Sequence, residues 1–110
     1  MPMYLFRAKY SVAAIKAMVD KPQDREPPAR KLIEAAGGKM HHLFFAFSED
    51  DAFVLIEAPS DEAMAGIALT VAASGAFSGG STTKLMSAQE AMKAMETAHE
   101  LTKSYVPATG

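Results

Sequence analysis

There is no cysteine in this chain of 110 residues. That excludes disulfides, thiol catalysis and thiolate metal sites, and it leaves the core to packing alone. Tryptophan is absent too. No apolar run approaches the ~18 residues of a membrane-spanning helix. A net charge of −2 leaves no basic excess for a nucleic-acid backbone to attract. No nucleic acid and no membrane are therefore expected as partners. The first residues lack the charged and apolar regions of a secretory signal, so the expected compartment is cytoplasmic. What is present, 49% hydrophobic and 22% charged residues, is ordinary for a globular protein and unlike a disordered one. A chain of this length can bury roughly 65% of the surface its unfolded form exposes. One domain over 1–104 with a tail at 105–110 is expected.

Charge is unevenly distributed. Residues 1–39 hold eight Lys/Arg against four acids, and residues 40–110 hold nine acids against three Lys. Complementary halves of one domain account for this; an anion site near the first strand is the sharper reading.

The periodicity predicts a strand over Met3 to Tyr10, with Tyr4, Phe6, Ala8 and Tyr10 on one face and Met3, Leu5, Arg7 and Lys9 on the other. Ser11 is placed to cap a helix carrying Ile15, Met18 and Val19, which Lys21-Pro22 ends or bends. Pro27 and Pro28 fit the first turn of a resumed helix with the stripe Ala29, Leu32, Ile33 and Ala36, stopped by Gly37-Gly38. Met40 to Phe47 and Ala52 to Ala58 read as strands joined by the turn Ser48-Glu49-Asp50-Asp51. Ser60 caps a helix with a buried stripe of Met64, Ile67, Ala68 and Val71, ended by Ser74-Gly75. A fourth strand, 76–86, is weakened by Gly79-Gly80, and Ser87 to Glu90 forms a capping box for a last helix striped by Ala91, Met92, Met95, Ala98 and Thr102. The order β-α-β-β-α-β-α is the α+β, ferredoxin-like arrangement with an additional C-terminal helix. Helices are expected on one sheet face. The other face is too apolar to remain wet, and a second copy is its expected cover, giving a homodimer.

The landmarks Met1-Pro2-x-Tyr4, Ile15-Lys16, Ala29-Arg30-Lys31-Leu32 with Gly37-Gly38-Lys39, Ile56-Glu57-Ala58-Pro59-x-Asp61-Glu62-Ala63 and Ala72-Ala73-Ser74-Gly75 together resemble the GYD-domain family. The resemblance runs from residue 1 to about 97. It implies a ferredoxin-like protomer similar to the dimeric α/β-barrel group, in a family of small bacterial proteins without an established general function. One departure is clear. The Gly-x-Tyr-Asp turn that names the family is here Ser48-Glu49-Asp50-Asp51, in which only the aspartate, Asp51, survives.

An even hairpin closing Phe47 on Ala52 would place His42 opposite Glu57, on the face carrying Phe44, Ala46, Phe53 and Leu55. His41 would then lie opposite Ala58, toward the helices. Cross-strand partners at ~5 Å allow an imidazole–carboxylate hydrogen bond, which orients the ring for acid–base work. A slip of one residue would exchange the histidines. Arg7 and Lys9 belong on that same face, because burying them under helices would strand unpaired charge. His42 and Glu57 are thus the candidate catalytic pair. Arg7, Lys9, Phe44, Phe53 and Leu55 are candidate ligand contacts in an apolar cavity with few polar groups. An ion pair that merely fixes register is the plainer reading of the same residues. No metal site and no cofactor are expected: Met40, His41 and His42 cannot all converge from one regular strand, and Glu96-x-x-His99 occurs only once.

Three functions follow as expectations. The first is a homodimer binding a small, partly apolar ligand between its sheets. The second is a cofactor-independent enzyme using a His–Glu pair. The third is a structural or regulatory oligomer without ligand.

Overall fold

A computed structural model describes residues 1–109. The elements are β1 (Met3–Tyr10), α1 (Val12–Asp20), α2 (Glu26–Ala35), β2 (Lys39–Phe45), β3 (Ala52–Glu57), α3 (Asp61–Ala73), β4 (Phe77–Leu85) and α4 (Ala88–Leu101), followed by a 3₁₀ turn over Thr102–Ser104. The four strands form one antiparallel sheet in the order β2-β3-β1-β4. This is the ferredoxin-like arrangement, with the first helical crossover split into α1 and α2 at Lys21-Pro22.

Local chemistry sets the boundaries. The Ser11 hydroxyl accepts from the Ala14 N–H at 3.2 Å, and the Ser60 hydroxyl from the Ala63 N–H at 3.1 Å. Pro27 and Pro28 sit in the first turn of α2, where no N–H is missed. At its other end Gly37 takes φ 83° and donates to the Glu34 carbonyl, while Gly38 donates to the Ile33 carbonyl. This double bond closes the helix, and the positive φ favours glycine. Gly38 matters for a second reason. A side chain there would stand 2.4 Å from the Glu57 carbonyl, so the chain can enter β2 beside β3 only because none is present.

The core lies between the sheet and two helices. Tyr4, Met40, Val54, Ile56 and Ala58 meet Ile33 of α2 and Met64 and Ile67 of α3. Fully burying one such aliphatic side chain stabilises by about 1.5–3 kcal/mol.

Two expected covers are missing. α1 buries no residue, with Val12 and Val19 largely exposed. α4 carries its capping box as expected, with Ser87 and Glu90 each accepting from the other's backbone N–H, yet it buries nothing. It projects from the domain, and the radius of gyration is 18.0 Å where a compact chain of this length would have about 13 Å. The sheet's helix face is already occupied by α2 and α3, so the stripe Met92, Met95 and Ala98 finds no partner within its own chain.

Candidate functional site

The uncovered face of the sheet is a lattice of side chains set by register. One row runs Phe44, Phe53, Arg7 and Ser81 across β2, β3, β1 and β4. The next runs His42, Leu55, Leu5 and Thr83. A third holds Glu57, Met3 and Leu85. Lys9 lies beyond the first row, opposite Gly79 on β4. All the candidate residues therefore share one face, and Leu5, His42, Phe44, Ala46, Phe53 and Leu55 line an open depression of about 460 Å³ on it. Its walls are almost wholly carbon. His42 and Phe44 stack with ring centroids 5.6 Å apart.

The expected pairing of His42 with Glu57 is not what the fold builds. The connection between the strands spans six residues, Ala46 to Asp51, and Phe45 rather than Phe47 pairs with Ala52. His42 consequently faces Leu55. A bulge at His41 then adds one residue to β2 between Met40, opposite Ile56, and His42. Met40 and Leu43 both stay toward the helices, so the two histidines between them both turn to the uncovered face. His41, expected toward the helices, is therefore the residue that reaches Glu57, with Nε2 2.8 Å from Oε1. A carboxylate acceptor takes its hydrogen from Nε2, which leaves Nδ1 outside this contact. About a quarter of each side chain is exposed.

Arg7 stands apart. Its Nε is buried without a hydrogen-bond partner, and no ion pair reaches the side chain among the described residues. A buried guanidinium N–H without an acceptor is costly, and a carboxylate or phosphate would satisfy it with strong, charge-assisted bonds. Lys9 only approaches the Glu49 carbonyl, at 3.5 Å. Among the described residues no group of three or more histidines and acids could hold a metal ion. None of their helices is long and apolar enough to cross a membrane.

The turn that departs from Gly-x-Tyr-Asp is built without a left-handed residue. Only Gly37 and Gly75 take positive φ among the described residues. The Ser48 hydroxyl donates to the Asp50 carbonyl at 3.1 Å, and the Ala46 N–H donates to the Asp51 carbonyl at 2.9 Å. The retained aspartate has a structural task. The Asp51 N–H donates to the Ala8 carbonyl at 2.9 Å, and its side chain accepts from the Tyr10 N–H at 3.0 Å. A side chain thus extends the β1–β3 ladder beyond its last backbone pair.

On the helix side of the sheet, Tyr4 donates to Asp61, and Lys84 pairs with the same carboxylate at 3.0 Å. The hydrogen bond from Tyr4, followed by the one from Lys84, holds the Asp61 carboxyl below its usual range. The same bond, with burial, pushes the Tyr4 phenol up to about 12.

A model of the GYD domain matches residues 4–95 of this chain. Among solved structures, the crystal structure of MtbAldR aligns with a TM-score of 0.54 at 15% sequence identity, over 78% of this chain and 52% of that one. This chain thus spans about half the length of MtbAldR, and at that identity the likeness concerns the fold alone. No curated protein matches the chain.

Proposed function

The chain belongs to the GYD-domain family, and from that premise we propose that it is a homodimer that binds a small, partly apolar ligand between two facing sheets. The observation that carries this reading is Arg7: an unpartnered guanidinium with a buried Nε, central on an uncovered apolar face. An anionic group of the ligand meets Arg7. Its apolar body lies on Leu5, Phe44, Phe53 and Leu55. The His41–Glu57 pair, with His42 beside it, supplies the remaining polar contacts. A second copy turns an open depression into an enclosed one, because one sheet alone leaves Phe44 62% exposed. The projecting α4 supports the same assembly, since its methionine stripe also awaits a surface outside its own chain.

Acid–base catalysis is the second reading, and the His41–Glu57 hydrogen bond favours it. In that case His41 is the base, oriented by Glu57, and His42 is not paired with the carboxylate.

Native mass spectrometry and sedimentation of the purified chain test the proposal. The expected result is a species of twice 11.7 kDa carrying a small-molecule adduct that Arg7→Gln removes while the dimer persists. A monomer, or an adduct indifferent to Arg7→Gln, would overturn it.

A further inference from the structure

A second cavity lies on the opposite side of the sheet. It measures about 120 Å³ and is walled by Phe6, Tyr10, Leu32, Leu43, Val54 and Phe77, with Arg25 also lining it. Close-packed interiors leave few voids larger than a water molecule. A dry cavity of about 150 Å³ with comparable walls is known to accept benzene. The volume thus suits one small ring or a short branched chain.

Two of the lining rings, Tyr10 and Phe77, stack at a centroid distance of 4.5 Å, and Phe45 stacks on Tyr10 at 5.7 Å at the sheet's end. The polar element of the lining is small. Arg25 precedes α2, in the break that Pro22 makes between α1 and α2. Its guanidinium neighbours the Tyr10 phenol, which burial pushes up and Arg25 draws back down. Among the described residues Arg25 makes no ion pair; its guanidinium donates to the Gln23 side-chain oxygen, at 2.8 Å. The nearby Asp51 carboxylate is engaged by the Tyr10 N–H. The cavity is therefore an apolar pocket whose lining includes one cation and one phenol.

We infer that this pocket binds a small apolar monocarboxylate, its hydrocarbon body between the sheet and α2 and its carboxylate held by Arg25 and the Tyr10 hydroxyl. This is a second site, separated by the thickness of the sheet from the face that carries Arg7. No bond is made or broken in it. The chemistry is recognition: a fork of guanidinium N–H groups matches a planar carboxylate, and the apolar walls disfavour larger or more polar bodies.

The full chain titrated with benzoate, followed by calorimetry and by amide chemical shifts, tests the inference. Saturable binding is expected, with the largest shifts at Tyr10, Leu43 and Val54. Arg25→Gln should weaken it at least tenfold, and benzyl alcohol, which keeps the ring and lacks the carboxylate, should bind at least tenfold more weakly than benzoate. Ala29→Leu, which grows a side chain into the cavity from α2, should abolish binding. Arg25→Gln changes only the residue before α2 and keeps the test decisive if Ala29→Leu does not fold. Absence of saturation at millimolar benzoate would overturn the inference, as would affinity unchanged by Arg25→Gln. Loss of benzoate binding in Arg7→Gln rather than in Arg25→Gln would also overturn it, and would place the ligand on the uncovered face instead.

Discussion

β3 presents two faces from six residues. Ala52, Val54 and Ile56 point to the helices and are at most 6% exposed. Phe53, Leu55 and Glu57 alternate with them and face outward, only half-buried. Apart from Glu57 the outward set is as apolar as the inward one, so Phe53 and Leu55 are not distinguished from it by composition. The difference lies in what covers them: α2 and α3 complete one side within the chain, and nothing in the chain completes the other. A sheet face that is apolar and uncovered implies energy still to be gained on association, and the unpartnered Arg7 says that the gain is not only hydrophobic.

The sharpest way to break this comparison is a pair of neighbouring truncations. Ile56→Ala should cost about 2–5 kcal/mol in denaturant unfolding, because it opens a cavity in a closed core. Leu55→Ala, measured in the same way on dilute protein, should cost less than about 1 kcal/mol, since no sealed space is created. Its effect should appear in sedimentation instead, as weakened self-association. Equal costs at the two positions would mean that the faces are energetically alike, and the proposed dimer would lose its physical basis.

A smaller effect is expected where the two faces meet at the sheet's end. Asp51→Ala removes the carboxylate that accepts from the Tyr10 N–H. The expected loss is about 1–2 kcal/mol, the cost of leaving a part-buried donor without its charged partner. Asp51→Asn, which keeps an acceptor oxygen, should recover part of it. If Asp51→Ala changes ligand binding and leaves stability intact, the retained aspartate belongs to a site and not to the ladder.

The smallest effect concerns the helix side and depends on pH. Asp61 is depressed, first by Tyr4 and then by Lys84. Its contribution to stability is therefore present above the unfolded carboxylate value of about 3.9 and is lost as pH falls through its lower folded value. Tyr4 has the opposite sign: raised to about 12, its contribution holds below the ordinary phenol value of about 10 and is lost as pH rises through the folded one. Asp61→Asn should flatten the acid limb of a stability–pH curve, and Tyr4→Phe should also soften the alkaline limb. Both limbs unchanged would mean that the contact is too solvated to contribute.

Much of this molecule is legible in its sequence, because its helices and strands announce themselves by period and by end signals. Ser11, Ser60 and Ser87 cap, Gly37 and Gly75 stop, and β1 and β3 alternate as their burial does. The uncovered face follows from the same alternation: Arg7 and Lys9 could not lie under helices. What was not legible was register. A turn of six residues in place of four, and one residue bulged at position 41, leave no mark in composition, since no glycine or proline flags either. Those two events moved the carboxylate's partner from His42 to His41. The cavity behind the sheet was hidden for another reason. Tyr10, Phe45 and Phe77 come from three strand ends and Arg25 from a loop, and only tertiary packing brings them together. The one available signal was a lone arginine in a proline-bounded break beside aromatic strand ends.

The bulge in β2 has a consequence for how this chain can change length. In a regular strand the loss of one residue reverses every side chain beyond it, exchanging core for solvent. At positions 41 and 42 it would not. Met40 would still pair with Ile56 and Leu43 with Val54, and one histidine opposite Leu55 would restore an unbroken ladder. This is the point in the strand where a single-codon deletion leaves the core in place, and what such a deletion discards is the histidine that holds Glu57. A variant one residue shorter here is expected to keep the fold and lose the pair.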